Sequence, residues 1–144
     1  MGTTGAILTS VRSRMPRSPR YGGRARIVGE GWHKRAGGDH AEVAALKNCT
    51  VSPRGATVYV TLEPCQMCAG AIVQARIPVV FAGASSPKAG CAGSILDVLT
   101  NNEFNHQVEY DQGLLEKDCS ALLKKFFVEL RVRNKEEKLR NCSR

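Results

Sequence analysis

The chain has 144 residues and a net charge of +8. That length suits one domain, since domains commonly run about 100–200 residues. Its 42% hydrophobic and 24% charged residues are those of a globular protein and exclude a disordered or collagen-like chain. No apolar run approaches the ~18 residues that would span a membrane, and the N-terminus lacks the apolar stretch of a secretory signal.

Charge is unevenly placed. Residues 1–26 hold six Arg and no acid, residues 124–144 hold eight basic and three acidic residues, and the stretch between them is net −3. Basic ends suit a polyanionic partner, because each Lys or Arg that meets a phosphate releases a counterion. A solvated tail is the plain alternative. The expected organisation is a single domain over 1–144, with a basic, partly flexible front (1–26) and a basic, flexible tail (132–144). An Arg-rich, acid-free front also fits an organelle transit peptide. Because the apolar run 5–11 has no Arg face, a cytoplasmic location is the preferred reading. The six cysteines (Cys49, Cys65, Cys68, Cys91, Cys119 and Cys142) are spread along a chain large enough to fold unaided. They read as reduced thiols, some binding metal, more readily than as a disulfide framework.

In chain order, residues 5–11 read as a short strand. Residues 12–25 carry five Arg, two Pro and two Gly and read as a mobile loop. Residues 25–30 read as a second strand, and 40–48 as a helix of good formers with Asp39 as its N-cap. Residues 57–62 alternate, with Val58, Val60 and Leu62 on one face and Thr57, Tyr59 and Thr61 on the other. Pro64 opens a helix from Cys65 to about Arg76. The apolar run from Ile77 to Ala82 reads as a strand buried on both faces. Strand, helix, strand makes a βαβ unit, so those two strands should be parallel. A short helix is expected over 93–100 and a strand over 106–110. A long helix should start near Leu114, with Leu115, Cys119, Leu122, Phe126 and Leu130 on its inner stripe and fraying past Arg131.

The chemistry sits in His40-Ala41-Glu42 and, with 22 residues between Glu42 and Cys65, in Pro64-Cys65-Gln66-Met67-Cys68. One imidazole and two thiolates form a soft ligand set that favours zinc. Cys65 and Cys68, three apart at a helix start, share a face, and the helix dipole there favours thiolates. Three protein ligands leave a fourth position for water, whose pKa zinc lowers toward ~7. Glu42, two residues from His40, is placed to move protons. A redox Cys-x-x-Cys pair is an alternative that makes no use of His40 or Glu42. A closed structural site would need Cys49 or Cys91 as a fourth ligand. The pattern H-x-E with P-C-x-x-C is the signature of zinc deaminases.

From about Ala56 to Arg133 the chain resembles the bacterial tRNA-specific adenosine deaminases (TadA) of the cytidine deaminase-like superfamily. The matching stretches are Ala56 to Ile72, Pro87 to Gly90, Gly93-Ser94, Phe104 to His106, Gly113 to Leu115 and Leu122 to Arg131. The resemblance implies a three-layer α/β/α fold with a mixed sheet around a βαβ core. It implies one zinc per subunit on His40, Cys65 and Cys68, with Glu42 as catalytic proton shuttle. It also implies a substrate contact at Ala41 and at the position of His33, where TadA usually has Asn, a homodimer, and conversion of the wobble adenosine of a tRNA anticodon loop to inosine. No membrane partner is implied. The stretch from Gly29 through Trp32 and His33 to Glu42 is similar instead to the deaminase domain of RibD, the riboflavin-pathway enzyme. A small-molecule deaminase for a RibD-like pyrimidine, cytidine or guanine is therefore the second reading, and a non-catalytic zinc-stabilised RNA-binding module the third. The family's first helix has no counterpart before residue 5, so an uncovered apolar sheet face and a stability below the family norm are expected.

Overall fold

The structure, a computed structural model, describes residues 5–11, 25–33 and 37–142. The loop expected over 12–25 lies outside the described residues apart from Ala25, which opens a strand. Five strands form one sheet in the order β2-β1-β3-β4-β5. They are β1 (Gly5–Val11), β2 (Ala25–Trp32), β3 (Thr57–Leu62), β4 (Val79–Ala84) and β5 (Glu109–Gln112). β1 runs antiparallel to both β2 and β3, whereas β3, β4 and β5 are mutually parallel. The expected βαβ unit is therefore present, with α2 (Gln66–Gln74) as its crossover.

Alternation along β3 sorts the two faces of the sheet. Val58 and Val60 are buried and pair with Val80 and Ala82 of β4. These side chains pack with Ala41 and Ala45 of α1 (Ala41–Lys47) and with Ala69, Ile72 and Val73 of α2. α1 lies directly on β2, where a β-carbon on Gly31 would come within 2.3 Å of the Ala41 carbonyl. On the opposite face α3 (Glu116–Cys142) crosses β4 and β3. Helices thus lie on both sides of a mixed sheet, the expected three-layer arrangement.

Among the described residues, the opposite face also bears exposed apolar side chains. Tyr59 stacks on Phe81 with ring centroids 5.1 Å apart yet stays 37% exposed. Ile27, which shares that face through its pairing with Thr9, is exposed as well.

Three local expectations need correction. Residues 93–100 form turns and an isolated bridge between Ala92 and Asp97, not a helix. Gly93 takes a positive φ of 128°, and Ser94 gives its N–H and hydroxyl to Glu63, so the chain cannot wind there. The stripe on α3 holds at Cys119, Phe126 and Leu130 but differs at two positions. Leu115 sits before the helix at φ 52° and is exposed, as is Leu122, whereas Leu123 is buried. The inward line is Cys119, Leu123, Phe126 and Leu130. Finally, α3 continues to Cys142 where a flexible tail was expected from 132. Lys, Glu, Arg and Leu dominate that stretch, and their helix propensity carries the backbone although residues 131–141 are all exposed. Among the described residues no helix is long and apolar enough to cross a membrane.

Candidate active site

Two helix starts meet at one end of the sheet. His40 is the N-cap of α1 and Cys65 the N-cap of α2, and neither side chain caps its own helix. His40, not the expected Asp39, holds the cap position; Asp39 instead accepts an ion pair from Lys47 at 2.7 Å. Both cap side chains are thereby free to point at a common centre. His40 Nδ1 lies 3.4 Å from Cys65 Sγ and 3.5 Å from Cys68 Sγ, and the three donor atoms lie within 4.8 Å of one another.

This donor set fits zinc. Zn–S bonds of about 2.3 Å and Zn–N bonds of about 2.0 Å in a tetrahedron put N and S about 3.5 Å apart. The group can hold a metal ion with one position left for a small ligand. Cys49 and Cys91 do not join the cluster. Cys49 Sγ is turned to the Ala45 carbonyl, and Cys91 is buried against Gln66 and Ala89. Cys119 faces Gly83 from α3. The described cysteines form no disulfide. The Cys68 thiol is pushed up by burial, then by the neighbouring Glu42 and Cys65.

The cluster opens onto a pocket of about 170 Å³ whose walls include His33, Ala41, Glu42, Leu62, Ser86 and Ala89. His33, His40, Ala41, Glu42, Cys65 and Cys68 therefore gather at this one place. Glu42 is only 5% exposed. Burial pushes its carboxyl up, against the opposing pull of its own backbone N–H, Cys68 and the two histidines. The His33 ring stands edge-on to His40, with centroids 5.2 Å apart, and its Nδ1 lies 3.2 Å from the Asp39 carbonyl.

Sequence reasoning missed Glu63. It too borders the pocket, is 3% exposed, and accepts bonds from the N–H groups of Ser86, Ala92 and Ser94 and from the Ser94 hydroxyl. Burial raises this carboxyl, but those donors outweigh it and leave the group below its ordinary range. The clamp fixes the loop that carries Ser86 and Ala89. The only local signal was a charged residue directly after an alternating strand.

The chain matches the family model for MafB19-like deaminases over residues 21–131. It belongs to that deaminase family. A tRNA-specific adenosine deaminase of Bacillus subtilis (strain 168) is 52% identical over 101 residues, covering 67% of this chain and 63% of that relative. The chain thus spans under two thirds of that relative's length. A solved structure described under A-to-I editing by tRNA:A34 deaminases superposes with a TM-score of 0.64 at 29% identity, covering 83% of each chain. The Thermotoga maritima diaminohydroxyphosphoribosylaminopyrimidine deaminase/reductase superposes with a TM-score of 0.62 at 28% identity, covering 84% of this chain and 32% of that one. The expected likeness to both groups is therefore present in the fold.

Proposed function

We propose that this deaminase is a zinc-dependent hydrolase that converts adenosine to inosine at the wobble position of a tRNA anticodon. One observation carries the choice of substrate class. Fold similarity is nearly equal for the tRNA deaminase and the pyrimidine deaminase, but 52% identity ties the sequence to a tRNA-specific adenosine deaminase.

His40, Cys65 and Cys68 hold the metal in this reading. When bound, zinc supplies a water acidified to a pKa near ~7. Glu42, buried in the pocket wall beside Cys68, accepts the water's proton and delivers protons to the ring nitrogen and to the departing amine. A C6–O bond forms, the C6–N bond breaks, and ammonia leaves. His33 and Ala41 line the same pocket and contact the base. Glu63 holds the opposite loop still and touches no reacting atom.

Eight basic residues against three acidic ones over 124–144, largely exposed on α3, suit RNA phosphates. Ile95, Leu96, Leu114 and Leu115 are all exposed, which suits a second copy covering them as a homodimer. We assign the whole chain to one catalytic domain and place it in the cytoplasm.

The test is ammonia release from a zinc-loaded preparation. An arginine-tRNA anticodon stem-loop, free cytidine, guanine and the RibD pyrimidine are compared side by side. The expected result is turnover on the stem-loop alone, with inosine in the product. Turnover on one of the small molecules alone would replace this reading with the second.

A further inference from the structure

Asp39 makes two contacts that bear on the candidate active site. Its carboxylate pairs with Lys47 at 2.7 Å, and its backbone carbonyl lies 3.2 Å from His33 Nδ1. A carbonyl only accepts, so Nδ1 carries the hydrogen, and in the neutral ring the other nitrogen, Nε2, is then an acceptor. His33 lines the pocket with His40 and Glu42. The tautomer therefore decides whether that ring offers the pocket an acceptor or a donor.

The local sequence does little to hold Asp39 still. It follows Gly37 and Gly38. Gly37 takes φ 75° with open space around its α-carbon, and glycine leaves the backbone its widest freedom. Lys47 supplies a fixed point. It is the last residue of α1, a helix seated on the sheet through the fully buried Ala41 and Ala45. Side chains on a helix lean toward its N-terminus, so Lys47 reaches back along α1 to the residue before the cap, His40. Both partners are well exposed, at 64% and 46%, so the pair adds little to stability. Its effect is geometric: it straps the β2–α1 connection to α1.

We propose that Asp39 and Lys47 are positioning residues that hold His33 in the Nδ1–H tautomer and so present Nε2 as an acceptor to a hydrogen-bond donor of the substrate. This rests on the reading above, in which His33 contacts the substrate.

NMR of isotope-labelled histidine reads the tautomers directly, in zinc-loaded protein at pH 8 without substrate. His106 is the internal control: its Nε2 lies 2.7 Å from the Ile77 carbonyl, so it carries the opposite tautomer. The expected result is Nδ1–H at His33. It should give way to a mixture in Asp39→Asn and in Lys47→Met and persist in Lys47→Arg, with His106 unchanged throughout. In turnover of the arginine-tRNA anticodon stem-loop, Asp39→Asn and Lys47→Met should each raise KM about 1.5–5-fold, the scale of an exposed ion pair. The melting temperature and kcat should hardly move. On a His33→Ala background neither substitution should add a further effect. Nε2–H at His33 in the parent, or a His33 signal that ignores both substitutions, would overturn the proposal. So would a Lys47→Met effect that persists without His33, which would make Lys47 a direct phosphate contact. The spectra need no substrate, so failure of the RNA reading, seen as no turnover on the stem-loop, stays distinct from failure at His33.

Discussion

The carboxylate of Glu63 fills the space that a β-carbon on Gly90 would need. A methyl built there would lie 2.3 Å from Glu63 Cδ and Oε2. The four donors to Glu63 lie 23 to 31 residues further along the chain, and Gly90 lies between them. Gly90→Ala should therefore force the clamp apart, at a cost of about 1–3 kcal/mol for overpacking. Glu63→Ala should cost a comparable amount, because it strands the buried Ala92 N–H and the Ser94 N–H. Urea midpoints check both. Activity should fall with stability in each variant, because the loop carrying Ser86 and Ala89 forms a pocket wall. A Gly90→Ala protein of parental stability and activity would contradict the clamp.

Glu42 can be separated from the metal site by its amide. Glu42→Gln keeps the shape but cannot accept a proton. Loss of a general acid–base group costs about 10²–10⁴-fold, so kcat should drop by that range. Zinc should still bind one per chain, and RNA affinity should persist. Metal analysis of the purified variant beside its ammonia-release rate decides this. A binding module would have no activity to lose.

The ligand set is tested by comparing cysteines. Cys68→Ser should lower zinc content, whereas Cys49→Ser and Cys91→Ser should leave it unchanged. The Cys68 thiol is raised by burial, by Glu42 and by Cys65, so zinc must displace a tightly held proton. Metal affinity should consequently rise with pH and each binding event should release protons. Competition with a chelator at pH 6.5 and 8.0 measures the direction; equal affinity at the two values would speak against thiolate ligation.

Local motifs made the proposed active site legible. His40 and Glu42 sit two apart, Cys65 and Cys68 three apart, and each pair opens a helix whose sequence favours helix formation. The parallel β3–β4 pair followed from one strand–helix–strand run. What escaped was nonlocal or depended on a single dihedral. Glu63 reads as an ordinary surface acid until residues 86–94 fold over it. Leu115 adopts a left-handed conformation ahead of α3 and so leaves the inner stripe, in which Leu123 rather than Leu122 is buried.

Tyr110 should make folding sensitive to alkali. Burial is the main cause of its raised phenol pKa, followed by Glu63, Asp111 and Asp97. The folded state holds the proton above the ordinary value of about 10, while the unfolded state releases it. Below that value both states are protonated and stability is unaffected. As pH rises past about 10 the unfolded state gains, so stability falls. Tyr110→Phe removes the phenol and its bond to Gln112. The drop in urea midpoint between pH 8 and pH 11 should be smaller in the variant than in the parent; equal drops would clear Tyr110 of the effect.

The outer sheet face sets a limit on stability. Tyr59 and Ile27 are exposed apolar side chains on the two strands that flank β1. Each forgoes part of the burial term of about 25 cal/mol per Å², and together they expose surface that invites association. The isolated chain should melt below ~65 °C, the upper end for mesophilic domains. Replacing Tyr59 and Ile27 with Thr should reduce self-association in sedimentation velocity, with only a small change in melting temperature, because both side chains are already half solvated. A monodisperse protein that melts cooperatively well above ~65 °C would show that this face is covered in solution, and the double variant should then lose several degrees.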